Sequence, residues 1–172
     1  MKVKAFNFTH HLLTIGLLLL IMGGCAPKEI VRVDLDTYLT NQQLYQGEEY
    51  KNKRVVIAAT LKDLNERYEA YRGKIIEVSA PVTYYGKSLF WTWYITVQKD
   101  GHKLRCYEDR YRLYPDPLAV NAVLTARTRG DEVTVRGTLY RDGLEMERLI
   151  YNGYNIDTNN PFRYRYPRSF GY

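Results

Sequence analysis

The chain has 172 residues, of which 45% are hydrophobic and 26% are charged. This length and composition are typical of one folded domain with a short additional segment, and they exclude a largely disordered chain. Tyrosine occurs 17 times, which favours strands over a helical bundle.

The N-terminus has the order of a secretory signal peptide. Lys2 and Lys4 precede an apolar run over residues 12–22, and two glycines follow it. A transmembrane helix needs about 20 apolar residues, so this shorter run predicts a cleaved segment and not a membrane span. The alternative, an apolar N-terminal helix of a non-secreted protein, would leave its leucines without a buried face.

The segment "IMGGCAP" resembles the lipobox of bacterial lipoproteins, in which an apolar residue and two small residues precede a lipidated cysteine. The resemblance implies removal of residues 1–24 and acyl chains, such as palmitate, on Cys25. One acyl chain gives only marginal membrane binding, whereas several anchor a protein firmly. Ala26 follows where an aspartate would direct retention, which implies a lipoprotein of the outer membrane that faces the periplasm.

The remaining sequence predicts no catalytic, metal or cofactor site. After cleavage one histidine, His102, and one unmodified cysteine, Cys106, remain, whereas a zinc site takes three or four ligands. Cys106 is expected to be a small buried side chain. No glycine-rich phosphate loop is present, and the acidic pairs at 108–109 and 131–132 fall at element ends, where solvated carboxylates are usual. We therefore expect a protein that is not an enzyme.

The charge of the mature chain is modest. Removal of the two signal lysines leaves 23 basic and 19 acidic residues, or +4, and three of the arginines lie in the tail "PFRYRYPRSFGY". A nearly neutral domain body argues against nucleic acid as the partner. The basic aromatic tail, residues 158–172, is interpreted either as disordered or as a contact for anionic lipid head groups.

The segment between the lipid anchor and the main domain is predicted to contain helices and one strand. Residues 25–36 are expected to form a lipidated tether, and residues 37–72 an N-terminal α/β extension. The extension would contain a helix capped by Asp36, a strand over 48–59, and a helix in "LKDLNERYEAY", where apolar residues recur at helical intervals. The sequence leaves open whether the extension completes the main domain or forms a separate unit.

A hairpin is predicted in "FWTWYITVQKDGHKLRCYED", because Asp100-Gly101 is a two-residue turn signal between alternating residues. The predicted cross-strand pairs are Gln98–Lys103, Val97–Leu104, Thr96–Arg105, Ile95–Cys106 and Tyr94–Tyr107. Trp91, Trp93, Ile95, Val97, Leu104 and Cys106 would share the buried face.

A helix and a second hairpin follow. Asp116 and Pro117 predict a helix start, and Gly130 its end. The expected buried stripe of this helix is Leu118, Val120, Val123, Leu124 and Ala126. The second hairpin is centred on Asp142-Gly143, with a bulge at Gly137 opposite Arg148 and with Met146 and Ile150 facing the core.

This order of elements resembles the OB-fold, a five-stranded, partly open Greek-key barrel with a helix between strands three and four. The strand-four segment "VTVRGTLYRDGLEM" carries the same resemblance. The implied domain spans 73–157, with strands at 73–85, 90–98, 102–108, 132–140 and 144–156 and the helix at 116–128. The expected class is therefore mainly β with helices, an OB-fold-like barrel plus the N-terminal extension. A small antiparallel sheet with one packed helix in another topology is the alternative.

OB-folds bind oligonucleotides or oligosaccharides on strands two and three and the adjoining loops. The resemblance therefore implies a ligand site on the polar face of the first hairpin and two loops. Its candidate residues are Tyr94, Thr96, Gln98, Lys103, Arg105, Tyr107, Tyr84, Tyr85, Lys87 and Arg141. The favoured hypothesis is a lipid-anchored envelope binding module for a protein partner or cell-wall glycan. The alternatives are a single-stranded nucleic-acid or polyanion binder, an envelope enzyme, and a merely solvated face; the oligomeric state stays open.

Overall fold

The computed structural model describes residues 28–87, 93–108 and 116–158. In these ranges there are eight strands and five α-helices. The strands are β1 (Glu29–Val33), β2 (Lys53–Ala58), β3 (Ile75–Lys87), β4 (Trp93–Lys99), β5 (His102–Tyr107), β6 (Glu132–Tyr140), β7 (Gly143–Tyr151) and β8 (Tyr154–Asp157). The helices are α1 (Leu35–Thr40), α2 (Gln42–Tyr45), α3 (Leu61–Glu66), α4 (Tyr68–Tyr71) and α5 (Pro117–Arg129), and Glu48–Tyr50 form a 3₁₀ turn.

Five of the strands form a closed barrel in the order β3–β4–β5–β7–β6, which returns to β3. The long strand β3 pairs with β6 through its first half and with β4 through its second half. The parallel pairing of β5 with β7 completes the ring, and α5 connects the third barrel strand to the fourth. This is the OB-fold topology, so the predicted fold class is confirmed, and the ring is closed where the sequence suggested a partly open one.

The N-terminal extension continues the barrel sheet. β1 pairs in parallel with β2, and β2 pairs in parallel with β3 at Ile57↔Ile76 and Ala58↔Glu77. The side chains of Leu35, Leu61, Leu64 and Tyr71 belong to the same hydrophobic core as the barrel strands. The extension is therefore not a separate unit.

Two predictions for this region are wrong. The expected tether over 25–36 contains strand β1, because the alternation in "EIVRV" pairs with β2. The N-cap of the expected single helix is Asp34 and not Asp36. The carboxylate of Asp34 accepts a hydrogen bond of 2.8 Å from the amide of Thr37. That helix is broken at Asn41, so α1 and α2 are short.

The first hairpin has the predicted register. All five predicted pairs are formed, and His102 also pairs with Lys99. Asp100 and Gly101 have φ angles of 51° and 80°, which is the left-handed conformation that a type I′ turn requires.

The second hairpin differs from its prediction by one residue. Tyr140 pairs with Gly143, so Arg141 and Asp142 form the two-residue loop. The predicted bulge is confirmed by the register shift between Arg136 and Gly137. Position 137 requires glycine, because an added Cβ would lie 1.9 Å from the carbonyl oxygen of Glu145.

The bulge changes which β7 residues face the core. Arg136 pairs with Arg148 and Gly137 with Met146, so Glu147 is the extra residue in β7. One extra residue reverses the alternation of faces. Leu149 is consequently buried, where the simple register predicted Ile150.

The predicted fifth barrel strand and the predicted helix stripe also need correction. Asn152 and Gly153, with φ angles of 49° and 79°, form a turn that divides the expected strand into β7 and β8. In α5 the Asp116 cap is confirmed, but Leu118 is 53% and Leu124 43% exposed. Val123 and Ala126 are buried as predicted, and Ala119 joins them in place of the two leucines. These small side chains at helical spacing allow the helix to approach the sheet closely.

No helix in the described ranges is both long enough and apolar enough to cross a bilayer.

A buried ion pair joins the extension to the barrel. The carboxylate of Glu77 in β3 accepts hydrogen bonds from Arg136 in β6 and from Arg32 in β1. The side chain of Arg136 is 3% exposed and that of Glu77 is 13% exposed. Burial opposes ionisation of Glu77, but the two guanidinium groups outweigh it and hold the pKa of the carboxyl below its usual value.

We predict that Glu77→Gln lowers the free energy of unfolding by about 3 kcal/mol at pH 7, because it leaves the charge of Arg136 buried and uncompensated. Urea denaturation of residues 26–172 measures this. Glu132→Gln is the control: it breaks the exposed pair with Lys99 and should cost less than about 1 kcal/mol.

The effect should depend on pH. A lowered pKa in the folded state stabilises the fold above the unfolded-state value of 4.5, and this contribution disappears as the pH falls through the folded-state pKa. The deficit of Glu77→Gln relative to the wild type should therefore shrink as the pH falls below 4.5. An equal deficit at every pH would show that Glu77 does not stabilise the fold as a carboxylate.

Candidate functional site

The polar face of the first hairpin lies on the outside of the barrel. The inward residues Ile95, Val97 and Cys106 are buried, and strand alternation turns their neighbours outward. The outward set on β4 and β5 is Tyr94, Thr96, Gln98, Lys103, Arg105 and Tyr107. The hairpin therefore presents the predicted residues on one surface.

Three tyrosines on this surface form a row across β3, β4 and β5, which we call the tyrosine row: Tyr84, Tyr94 and Tyr107. The rings of Tyr84 and Tyr94 stack with centroids 5.2 Å apart, and the Tyr84 ring lies over Gly86, where an added Cβ would meet the hydroxyl at 2.3 Å. The Arg105 guanidinium lies 4.8 Å from the Tyr94 centroid. The Tyr94 ring is thus held between Tyr84 of one neighbouring strand and Arg105 of the other.

Tyr107 connects the row to the loop of the second hairpin. Its hydroxyl donates a hydrogen bond of 2.6 Å to the carbonyl oxygen of Asp142, and its ring lies 6.1 Å from that of Tyr94. Hydrogen bonding with Tyr107 raises the pKa of Arg105. Arg105 therefore lies beside Tyr94 and Tyr107 on the outer face of the sheet, and its side chain is exposed to solvent.

A groove of about 280 Å³ lies between the α3–α4 helices, β5 and the β6–β7 loop. Among the described residues, its charged lining consists of three cations and one carboxylate. The lining residues are Leu61, Leu64, Asn65, Tyr68, Lys103, Leu104, Arg105, Leu139, Tyr140, Arg141, Asp142 and Gly143. The hydroxyl of Tyr68 is buried and has no hydrogen-bond partner in the described part of the chain, which is costly for a polar group unless another group satisfies it.

The structure thus brings three of the predicted site residues, Lys103, Arg105 and Arg141, into one groove, with Tyr94 and Tyr107 supporting them. Thr96 and Gln98 lie on the outer face but do not line the groove. Tyr84 is 44% exposed at the far end of the row.

The predicted role of Tyr85 is not supported. β3 extends to Lys87, so residues 84–87 belong to a strand and not to a loop, and Tyr85 points to the opposite face from Tyr84. Its ring stacks on the half-buried Trp93 at 5.3 Å, and burial raises the pKa of Tyr85 to about 12. The ammonium of Lys87 lies 5.5 Å from the Trp93 ring. Trp91 and the rest of the β3–β4 loop lie outside the described residues.

Sequence reasoning missed the helix wall of the groove. Asn65 and Tyr68 come from α3 and α4, which approach the site because α3 contacts β5. The apolar residues of these helices recur at helical spacing, which predicted only that one face packs against a core. Leu61 and Leu64 form that contact. No local signal connects this helix pair to a loop that lies far along the chain.

The arrangement suits binding of an anion. Guanidinium and ammonium groups donate charge-assisted hydrogen bonds to carboxylate or phosphate. Burial raises the pKa of the Cys106 thiol, so the reactive thiolate is disfavoured. Within the described ranges, no three His, Cys, Asp or Glu side chains cluster as metal ligands.

We predict that Tyr107→Phe, which removes the hydrogen bond to the β6–β7 loop, lowers the free energy of unfolding by about 1 kcal/mol. The amide of Gly143 should also exchange with solvent faster, because the loop loses its contact with β5. Tyr154→Phe is the control, since that side chain is 73% exposed. Equal exchange at Gly143 in both variants would show that the hydroxyl of Tyr107 does not hold the loop.

No protein-family model matches the sequence, and no curated protein matches it. Solved structures that match include TiaS, a tRNA agmatidine synthetase, in its apo form, with a TM-score of 0.35 and 16% identity, and TiaS in complex with tRNA and ATP, with 0.36 and 16%. A tRNA fluorescent labeling enzyme matches with a TM-score of 0.35 and 13% identity. Each match covers 55% of this chain, which spans only 20% of the other. Such distant likeness carries no argument about function, and the fold is defined by the strand pairing described above.

Proposed function

We propose that the chain is a non-catalytic binding module of the cell envelope, anchored by lipid on Cys25, that holds an acidic cell-wall glycan in the groove between α3–α4 and the β6–β7 loop. The anchor is expected in the outer membrane, with the barrel in the periplasm. A protein partner with an acidic segment is the other occupant that the groove chemistry would accept.

The observation that carries this proposal is the charge of the groove. In the described part of the chain, Lys103, Arg105 and Arg141 line it against one carboxylate, that of Asp142. The domain body as a whole is nearly neutral. A local excess of positive charge in a concave site raises the local concentration of anions and favours their binding.

The position of the groove agrees with how this fold is used. OB-folds bind oligosaccharides and oligonucleotides on strands two and three and beside the loop between strands four and five. In this chain those elements are β4, β5 and the β6–β7 loop. The exposed ring of Tyr140 adds an aromatic surface to the groove lining, which suits a sugar.

The tyrosine row restricts the side chain of Arg105, one of the cations of the groove. The guanidinium of Arg105 lies over the ring of Tyr94, so less side-chain entropy is lost when it meets a ligand. Preorganisation of this kind increases affinity without adding contacts. The row is therefore interpreted as a support for Arg105 and not as a stacking platform.

Single-stranded nucleic acid is the second candidate, favoured by three tyrosines beside basic residues on the strand face. Base stacking needs free aromatic faces, and Tyr94 has neighbours on both sides. The expected location outside the cytoplasm also argues against it.

The test is isothermal titration of residues 26–172 with soluble, uncrosslinked peptidoglycan strands, whose stem peptides and lactyl groups carry carboxylates. Arg141→Ala should weaken binding about tenfold, the loss of one charge-assisted hydrogen bond. Lys99→Ala is the matched control, because Lys99 is an exposed cation beside the turn of the first hairpin and does not line the groove.

A labelled single-stranded oligonucleotide is titrated in parallel at two salt concentrations. Tight, salt-dependent binding of the oligonucleotide, with none of the glycan, would replace the proposal by the second candidate. Glycan binding that Arg141→Ala and Lys99→Ala weaken equally would place the ligand outside the groove.

A further inference from the structure

The lipid anchor and the fold are separated by very little chain. β1 begins at Glu29, four residues after Cys25. Four residues span at most about 14 Å when fully extended. If Cys25 is acylated, as in the proposed function on which this inference rests, the start of β1 stays within about 14 Å of the lipidated residue.

The start of β1 is in contact with the segment that precedes β2. Glu29 pairs with Lys53 in the β1–β2 register, and their side chains approach to 4.0 Å. The ammonium of Lys53 also lies 5.0 Å from the ring of Tyr50. The 3₁₀ turn Glu48–Tyr50 is therefore beside the point where the chain leaves the anchor.

An aromatic cluster adjoins this turn. The rings of Tyr38 and Tyr45 stack with centroids 5.6 Å apart, and Tyr45 meets Tyr50 edge to face at 5.1 Å. The ammonium of Lys74 lies 5.8 Å from the Tyr38 ring. Tyrosine and lysine share an apolar body with a polar tip, which suits the level of lipid head groups.

Two leucines on the same short helices are exposed. Leu39 of α1 is 42% exposed, and Leu44 of α2 is 51% exposed. Leu39 directly follows Tyr38, and Leu44 directly precedes Tyr45. We call these five residues the α1–α2 surface: Tyr38, Leu39, Leu44, Tyr45 and Tyr50.

Electrostatic attraction does not explain a lipid contact at this surface. The adjoining 3₁₀ turn carries Glu48 and Glu49, and Lys51 and Lys53 follow it, so these four charges balance. Contact with a bilayer would depend on burial of leucine and tyrosine at the interface, and it should therefore change little with salt.

We infer that the α1–α2 surface rests on the bilayer that holds the acyl chains of Cys25, so that the lipid anchor and this surface together fix the orientation of the barrel. The occupant is the lipid interface of the same membrane. Leu39 and Leu44 enter the head-group region, and the tyrosine rings lie at its boundary with water.

The test uses the acylated full-length protein in vesicles of phosphatidylethanolamine and phosphatidylglycerol that contain a lipid spin-labelled near the head group. A bimane fluorophore is attached to Leu44→Cys, and separately to Leu118→Cys on the exposed side of α5. Labelling is specific because Cys106 is fully buried and Cys25 carries lipid. Both substituted side chains are more than half exposed, so folding should be preserved, which circular dichroism checks.

We expect at least twofold stronger quenching of bimane at position 44 than at position 118. This ratio should not change between about 0.1 and about 0.5 M salt, although the electrostatic screening length falls from about 10 Å to under about 5 Å over that range. Equal quenching at the two positions, or quenching at 44 that high salt abolishes, would overturn the inference. Mass spectrometry of the same sample reports acylation, and the glycan titration reports the groove. Failure of the membrane contact is thereby distinguished from failure of the anchor or of ligand binding.

Discussion

The barrel and the site both depend on the seam where β5 meets β7. In the described residues, two pairs form this parallel contact, Cys106↔Leu144 and Tyr107↔Glu145. Gly143 makes the close approach possible: its φ angle is 140°, and a Cβ there would lie 2.3 Å from the carbonyl oxygen of Arg105. A larger residue would push the strands apart and open the ring. The hydrogen bond from Tyr107 to the Asp142 carbonyl then reinforces the seam from outside.

Closing the barrel at this seam also assembles the groove. The seam brings the β6–β7 loop beside β5, so Arg141 joins Lys103 and Arg105, which are distant in sequence. The α3–α4 helices form the other wall because Leu61 and Leu64 are part of the barrel core. The cations are thus brought together by apolar packing and backbone closure. The geometry of the groove should therefore be as stable as the barrel itself.

The parts of the fold that local rules determine could be predicted from the sequence. Turn chemistry at Asp100-Gly101 fixes the register of the first hairpin, and strand alternation then assigns every residue of β4 and β5 to a face. The cap at Asp116 and the bulge at Gly137 have similarly local causes. Two predictions failed because a local rule was applied incompletely. The extra residue Glu147 places Leu149 in the core, where Ile150 was predicted. The turn at Asn152-Gly153 ends β7 earlier than predicted.

The helix wall of the site could not be predicted, because it depends on contacts between distant parts of the chain. Nothing in residues 61–71 indicates that they face the β6–β7 loop. Tyr85 shows the same difficulty in another form, since its face depends on how far β3 continues before the loop. Leu118 was expected in the core because it is apolar, yet the small residues of α5 are the ones that meet the sheet.

The shared core of the extension and the barrel has a consequence for folding cooperativity. Leu35, Leu61, Leu64 and Tyr71 complete the core that the barrel strands enclose, and β2 covers the edge of β3. A barrel without the extension would expose Ile76 along an unpaired strand edge. The two parts therefore stabilise each other and should unfold in one transition. Because β1, β2 and β3 are parallel and joined through helices, this cooperative unit forms through contacts that are distant in sequence, and its folding is expected to be slow.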